Sequence, residues 1–271
     1  MAKPSIRSVL ARQIDRPDMV VIAASRIGFL AVLVALWWLA SINVARNIIP
    51  SPAATLEAAG RLVSDGALQR ALFESVSIYL SGYALAIAAA IPLGVAMGGF
   101  RLLGRTLEVY VYALSATPRV AFIPLIIVLL GLGGEAKIFI VFLGAVMPIL
   151  INTYAGVRQA DRDLVEMARS AGAGRMRIFT AIVLPGAVPY IIAGLRLGAT
   201  IGLINTVVAE LYTAVQGLGG LLAIYGNSFR MAEYFVIVIA LAGLGVIVTE
   251  ALRYVELRFA RWRRQEPDSK V

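Results

Sequence analysis

Long apolar segments dominate this sequence and leave few folds open to it. A helix needs about 20 apolar residues to cross the hydrocarbon core of a bilayer. Within lipid, only helices and closed barrels satisfy every backbone hydrogen-bonding group. The qualifying segments are Val20–Ile42, Ala71–Gly99, Leu107–Leu132, Ala136–Val157, Pro185–Leu211 and Tyr234–Tyr254. The sequence therefore predicts an all-α integral membrane protein with about six transmembrane helices, folded as a single transmembrane domain over residues 1–271.

Composition excludes most other classes of protein. Only 15% of the residues are charged and 60% are hydrophobic, whereas a soluble domain is about 25% charged. The chain contains neither cysteine nor histidine, which rules out Ser-His and Cys-His nucleophiles and the usual zinc sites. We therefore predict no catalytic and no metal-ligating residue. The net charge of +9 could suggest nucleic acid, but in a membrane chain basic cytoplasmic loops explain it better, and no nucleic-acid partner is expected.

The basic residues are distributed unequally between the segments that join the predicted helices. With the N-terminus inside, 18 of the 25 Lys and Arg residues fall on the cytoplasmic side. The outer side holds only Arg46, Arg61, Arg70, Lys137 and Arg230. This asymmetry follows the positive-inside rule and predicts a multi-pass protein of the plasma membrane with both termini cytoplasmic.

Glycines four residues apart mark faces on which helices can pack closely. Gly94 and Gly98 lie on one predicted helix, and Gly194, Gly198 and Gly202 lie on another. Small residues at this spacing let two helix backbones approach each other. We predict that these faces pack within the chain, with a seam between two copies as the alternative.

The cytoplasmic loop between the fourth and fifth predicted spans has strong local signals. Asp163 and Glu166 have the spacing of a capping box, and a short helix over Leu164–Ala171 would follow. Gly172 then stands where a helix end favours a left-handed residue, and Pro185 is predicted to open the next span. This pattern fits an amphipathic helix on the inner membrane face that transmits force to a cytosolic partner. It fits an ordinary connector with ordinary caps equally well.

The amino-acid sequence of this loop resembles the cytoplasmic signature of binding-protein-dependent ABC permeases. That signature reads E-A-A, three residues, Gly, nine residues, and then Ile-x-Leu-Pro, and both spacings are kept here. Its one departure is Met167 in place of the middle Ala, another good helix former. The matching residues are Glu166, Met167, Ala168, Gly172, Ile182, Leu184 and Pro185.

Further motifs are similar to the subgroup that imports sulfonates, taurine, nitrate and similar small solutes. Examples are Phe122–Leu125, Leu184–Pro189, Gly194–Arg196, Val208–Glu210 and Gly217–Gly219. The resemblance implies a type I ABC importer permease in the bacterial inner membrane. It also implies a second permease copy or paralogue, a dimer of cytosolic ABC ATPases and an extracytoplasmic solute-binding protein. The coupling loop, residues 158–185, would dock on the ATPases.

ATP and Mg would be bound by the ATPases, so no cofactor is expected in this chain. The segment Gly131–Lys137 has a faint likeness to a phosphate loop. It is rejected because Ala136 replaces the needed glycine and because the segment is predicted to lie at the outer face.

Three polar residues inside predicted spans are candidates for the translocation path. Arg119 follows Pro118 within the third span, where an ionisable residue is costly and usually faces a cavity or a partner. Our hypothesis is that Arg119 lines the path and favours anionic solutes; pairing with backbone carbonyls or a carboxylate is the equally weighted alternative. Asn205 and Glu210 lie on the outer half of the fifth span. A packing role is favoured for Asn205, and a gate role is slightly favoured for Glu210.

Other functions stay open on composition alone. An ion-coupled secondary transporter has the same composition and also works by alternating access, but Glu210 is nearly the only carboxylate inside the predicted spans. A membrane enzyme would need a cluster of carboxylates or lysines there. A structural membrane scaffold would leave the signature loop unexplained.

Overall fold

The computed structural model describes residues 17–45, 48–213 and 216–260, and its regular structure is helical. We number the α-helices in chain order; a 3-10 turn (Arg119–Phe122) precedes α5 and a π-helical turn (Phe179–Val183) precedes α9. The helices are α1 Pro17–Asn43, α2 Pro52–Ser64, α3 Ala67–Gly99, α4 Arg101–Ala116, α5 Ile123–Leu130, α6 Gly134–Arg158, α7 Arg162–Ser170, α8 Arg175–Ile178, α9 Leu184–Thr213, α10 Gly217–Asn227 and α11 Met231–Ala260.

The predicted number of spans is confirmed. Among the described residues, five helices are long and apolar enough to cross a bilayer, or six if a bent pair counts as one span. The basic residues predicted near the termini, within 1–16 and 258–271, and Arg46 lie outside the residues and side chains that the structure describes.

Helices α3, α6 and α9 form the centre of the bundle. The contacts between α3 and α6 keep one register along both chains, since Gly82 meets Val141 and Gly98 meets Val157; the two helices therefore run parallel. Helix α9 runs antiparallel to α6, with Gly194 against Asn152 and the later Gly198 against the earlier Ile149. The glycine faces thus pack within the chain, as predicted.

These glycines are required by the closeness of the helices. A Cβ built on Gly98 would lie 2.5 Å from the Cβ of Val157, and one on Gly198 would lie 2.6 Å from a side-chain carbon of Ile149. No side chain fits at such distances. Tyr83 adds a polar link across the same centre, because its hydroxyl donates a 2.8 Å hydrogen bond to the Leu195 carbonyl.

The third predicted span, Leu107–Leu132, is not one helix. Helix α4 ends at Ala116, and the helical segment that resumes at Arg119 is bent from it by 80°. The cause is Pro118, which forces the preceding residue out of the helical region; Thr117 is accordingly extended, with φ −73° and ψ 134°. We call α4, the 3-10 turn and α5 together the arm.

The second half of the chain has one helix boundary that differs from the prediction and one helix that was not predicted. The fifth membrane helix does not open at Pro185, because the helical backbone is continuous from Arg175 to Thr213. The motif Gly217–Gly219, between the last two predicted spans, forms the start of a further helix, since α10 begins at Gly217. Glycine can take the positive φ of 85° at residue 217, which lets the chain turn sharply into α10.

The first helix lies at the edge of the bundle. From residue 21 to residue 43, almost every side chain of α1 is exposed. Trp37 anchors the helix through a 3.0 Å hydrogen bond from its indole N–H to the Pro50 carbonyl. The short helix α2 follows α1 in the chain. Ser51 caps it by accepting a hydrogen bond from the Ala54 N–H, and Pro52 occupies its first turn.

Two ends of the bundle are named from here on. The α7 end is where α6 ends and α9 begins, and the far end is where α6 begins.

We expect Gly198→Leu to destabilise the bundle strongly. The added side chain must displace Ile149 at a backbone contact, and overpacking of this kind costs about 1–3 kcal/mol or more. Thermal unfolding of the purified protein in detergent measures the effect. Gly243→Leu is the matched control, since nothing lies within 4 Å of a Cβ at that position. Equal midpoints for the two variants would contradict the close packing.

Candidate functional site

The signature loop contains a short, well-capped helix, α7. Its N-terminus is capped by Asp161, whose carboxylate accepts hydrogen bonds from the backbone N–H groups of Asp163 (2.9 Å) and Leu164 (3.3 Å). The predicted capping box on Asp163 is therefore wrong, and the helix begins earlier, at Arg162. An Asp at the N-cap satisfies the first backbone donors as well as Asp163 would have done, so the sequence pattern allowed both positions.

Gly172 ends α7 in the predicted left-handed conformation, with φ 80°. The N–H of Gly172 donates to the Arg169 carbonyl at 3.0 Å, and the N–H of Ala173 donates to the Ala168 carbonyl at 2.9 Å. These two bonds form a Schellman motif. No atom would contact a Cβ at Gly172, so the requirement for glycine is conformational rather than steric.

The first half of the signature lies on the surface. Every residue of α7 is exposed or half-buried, including Glu166 and Ala168. Leu164 and Met167 stand one helical turn apart and are 45% and 63% exposed. Apolar side chains at this spacing on a polar helix form a face that a partner protein can cover.

The second half of the signature connects α7 to the bundle. Ile182 lies in the π-helical turn, and Leu184 and Pro185 are the first two residues of α9. Ile182 and Leu184 are half-buried, whereas Pro185 is exposed. Because α8, the π-helical turn and α9 form one continuous helix, the surface loop is joined without a flexible segment to a central helix of the bundle.

Arg119 lies at the break in the arm and reaches the middle of α6. Its guanidinium donates to the Gly144 carbonyl at 2.9 Å and, at 3.4 Å each, to the carbonyls of Leu143 and Ser115. The side chain is half-buried, and a guanidinium has five N–H donors. The structure therefore shows pairing with carbonyls and leaves donors of Arg119 for another ligand.

Asn205 packs against the same turn of α6. Its side-chain amide lies against the Cα of Gly144, where a Cβ would come within 2.8 Å of the amide carbon. The amide nitrogen donates to the Ile201 carbonyl at 2.8 Å, and the residue is 9% exposed. Arg119 and Asn205 thus meet Gly144 from two sides, and a role for Asn205 in the path stays a prediction.

Glu210 is fully buried beneath the N-terminus of α10. The Ser75 hydroxyl donates to its carboxylate, 2.7 and 2.9 Å from the two oxygens, and the Gly219 N–H donates at 2.8 Å. A side chain on Gly217 would collide with this carboxylate. Negative charge is favourable at a helix N-terminus, so Glu210 holds α10 in place; its predicted gate role is not tested by these contacts.

Two residues of this far-end network, and one buried lysine of α6, were not selected from the sequence. Glu74 accepts a hydrogen bond from the Gly217 N–H at 2.9 Å, and the Ser75 hydroxyl accepts one from the Leu218 N–H at 2.8 Å. Lys137, predicted in an outer loop, is 2% exposed within α6. The sequence signal that could have indicated this network is the pair of polar residues, Glu74 and Ser75, near the start of an apolar segment.

Arg196, the last residue of the motif Gly194–Arg196, joins two helices. It forms an ion pair with Glu256 of α11, which ties α9 to the last helix.

The comparisons with known proteins agree with these features. The model of the family described as binding-protein-dependent transport system inner membrane component matches residues 82–261. SsuC of Escherichia coli, a permease protein assigned to aliphatic sulfonate transport, is 36% identical over 85% of this chain and 88% of SsuC. The taurine transport system permease protein TauC of Escherichia coli is 30% identical over 87% of this chain and 88% of TauC.

One solved structure supports the fold. A chain of the MetNI methionine ABC transporter, in an inward-facing form, superposes with a TM-score of 0.60 at 19% sequence identity. The superposition covers 69% of this chain and 93% of that one. The similarity therefore extends to the helical architecture.

We expect Glu210→Leu to lower the unfolding temperature markedly and Glu210→Gln to lower it less. Leucine leaves the buried Ser75 hydroxyl and Gly219 N–H without an acceptor, at about 1–3 kcal/mol for each group, whereas glutamine keeps one carbonyl oxygen. Thermal unfolding in detergent checks the order. Glu135→Gln serves as the control, because Glu135 is exposed and lies at the far end, in the first turn of α6. A Glu210→Leu protein as stable as the control would exclude the anchoring role.

Proposed function

Because the chain belongs to the binding-protein-dependent inner membrane components of ABC importers, we propose that it carries a small anionic solute of the sulfonate, taurine, nitrate or carboxylate type. The chain is the membrane-spanning permease subunit and is not itself the ATPase. Family membership disfavours the alternative of an ion-coupled secondary transporter. The single observation that carries the coupling part of the proposal is the exposed helix α7, capped at both ends and followed after four residues by the continuous helix Arg175–Thr213.

Helix α7 is the proposed docking element for a dimer of cytosolic ATPases, which bind ATP and Mg. Its short length and its two caps make it rigid, and its apolar residues Leu164 and Met167 are exposed. A rigid surface helix of this kind can fit a cleft on an ATPase and transmit a rotation to α6 and α8, the helices on either side of it. The remaining signature residues, Gly172, Ile182, Leu184 and Pro185, shape its end and join it to α9.

The proposal fixes the orientation of the chain in the membrane. The α7 end carries Arg158, Arg162, Arg169, Arg175 and Arg177 and is placed in the cytosol, in accord with the positive-inside rule. The far end then faces an extracytoplasmic solute-binding protein. With a second permease copy or paralogue, closure of the ATPases would move the two permeases between inward-open and outward-open forms.

Arg119 is proposed to line the solute path. It lies at a break in the arm, it is half-buried, and its carbonyl partners leave its positive charge uncompensated by any carboxylate within ion-pairing distance among the described residues. Arginine recognises carboxylate, sulfonate and similar oxoanions through paired N–H donors. This placement supports an anionic solute for the importer.

The coupling proposal predicts loss of the ATPase on alteration of α7. Co-expression with the genes that neighbour this one, followed by affinity purification, should recover an ATPase with the wild type but not with Gly172→Asp or Glu166→Arg. The first change puts a side chain at a left-handed residue, at about 1–2 kcal/mol, and disturbs the Schellman motif; the second reverses a surface charge of α7. Glu57→Arg, an exposed charge reversal on α2, is the control and should retain the ATPase. If the folded wild type recovers no ATPase, the coupling proposal fails.

The solute proposal predicts a selective defect at Arg119. In proteoliposomes with the ATPase and binding protein, Arg119→Gln and Arg119→Ala should reduce transport of the anionic solute about tenfold, which corresponds to ~1.4 kcal/mol. Arg119→Lys should retain part of the activity because it keeps the charge but not the paired donors. Arg70→Gln, an exposed arginine at the far end, should transport normally. Unchanged transport by both neutral variants would exclude Arg119 from solute recognition.

A further inference from the structure

Three side chains connect the arm to the last turns of α6. The Tyr154 hydroxyl donates a 3.0 Å hydrogen bond to the Glu108 carboxylate, and Arg158 donates a 2.9 Å hydrogen bond to the Tyr154 oxygen. Arg158 also lies 3.5 Å from Glu108 as an ion pair and 5.3 Å above the Tyr154 ring. Every member of this cluster, which we call the joint, therefore contacts the other two.

The joint lies at the root of the coupling loop. Arg158 is the last residue of α6, and only Gln159 and Ala160 separate it from Asp161, the cap of α7. On the side of α6, Arg158 is therefore the charged residue nearest to α7 along the chain. Glu108, in turn, is the member of the joint that belongs to the arm.

The contacts of the joint are better suited to fixing the position of α4 relative to α6 than to stabilising the fold. Glu108 and Arg158 are 33% and 56% exposed, and an exposed ion pair adds little to stability. Tyr154 is 4% exposed and lies against Gly104, where a Cβ would come within 3.2 Å of its ring. The buried ring fixes the position of the hydroxyl, and the hydroxyl fixes the two charged groups.

The other end of α4 leads to Arg119, the residue proposed to line the solute path. From Glu108 to Ala116 the chain is unbroken helix, about 12 Å long. Three residues later, Arg119 binds the carbonyls of Leu143 and Gly144. Between these two attachments, α4 turns an exposed face away from the bundle, with Tyr110 64% and Leu114 56% exposed. The arm is thus fastened to α6 beside the coupling loop and again at Arg119.

We propose that Glu108, Tyr154 and Arg158 are positioning residues that transmit the movement of α7 along α4 to Arg119. The inference rests on the proposed function, because it takes α7 as the site on which the ATPases act. The joint does not contact the solute; it sets where the arm stands in each state of the transport cycle.

A charge exchange tests the proposal in the assembled importer. Glu108→Arg and Arg158→Glu each place like charges together, whereas the double variant restores an opposite pair. Three quantities are measured in proteoliposomes: ATPase activity without binding protein, its stimulation by the solute-loaded binding protein, and solute transported per ATP. Either single variant should lose about fivefold or more in solute per ATP with ATPase activity still present, and the double variant should recover most of the loss.

A labelling experiment follows the arm itself. The chain contains no cysteine, so Ala116→Cys introduces a single thiol at the exposed end of α4. With the joint intact, its rate of reaction with a maleimide should differ between the nucleotide-free and the ATP-trapped complex. The single charge variants should abolish that difference and the double variant should restore it. Tyr154→Phe, which keeps the ring and removes the hydroxyl, should also weaken it.

Glu250 and Arg253 provide the matched control. They form a similar exposed pair at 3.4 Å, but both belong to α11 and connect no second element. Glu250→Arg, Arg253→Glu and their combination should leave solute per ATP and labelling unchanged.

The outcomes separate this inference from the proposed function. If the wild-type complex does not couple ATP hydrolysis to transport, the proposed function fails. If the wild type couples and the single charge variants and Tyr154→Phe couple equally well, the joint transmits nothing. If the double variant stays as defective as the single ones while the complex is assembled, the effect lies elsewhere than in the pairing of Glu108 with Arg158.

Discussion

The structure depends on the close approach of α3, α6 and α9 through residues without side chains. Lipid is as apolar as the helix surfaces, so burial alone does not hold membrane helices together; close packing and buried hydrogen bonds do. Helix α6 receives Gly82, Gly94 and Gly98 of α3 on one side and Gly194 and Gly198 of α9 on the other. Its own glycines, at 144 and 156, take the side chains of Asn205 and Tyr190. Helix α6 is therefore held along most of its length.

Because α6 is held in place, it positions both candidate functional regions, the coupling loop and Arg119. Its last residue is followed within three positions by the cap of α7, and carbonyls at its middle receive Arg119. The glycine at 144 serves two purposes, since its missing side chain admits Asn205 and its carbonyl accepts from the guanidinium. The coupling loop and Arg119 are thus both positioned by α6, although they come from distant parts of the sequence.

Much of this arrangement could be predicted from the sequence, and the exceptions have identifiable causes. Apolar length located the spans, glycine spacing located the packing faces, and a helix-ending glycine located residue 172, because each depends on local chemistry. Pro118 was noted inside the third predicted span, but the 80° bend at this proline depends on where α5 finds its contacts. The burial of Lys137 and the helix that starts at Gly217 depend on side chains of α3 and α9, which no local pattern contains. Asp161 was missed as the cap because Asp163 offered an equally suitable carboxylate.

The two ends of the bundle differ in how strongly their helices are held, and this difference indicates where the chain can deform. At the far end, three backbone N–H groups of α10 donate to two carboxylates, of Glu74 and Glu210, and to the buried Ser75 hydroxyl. Removing a partner would leave charged or polar groups unpaired away from water. At the α7 end, the arm is held through half-exposed charges around one tyrosine. Elements that move in a working cycle come from the less stable part of a structure. By this criterion α10 belongs to the fixed frame, and we expect the arm, with Arg119 at its break, to change position during transport.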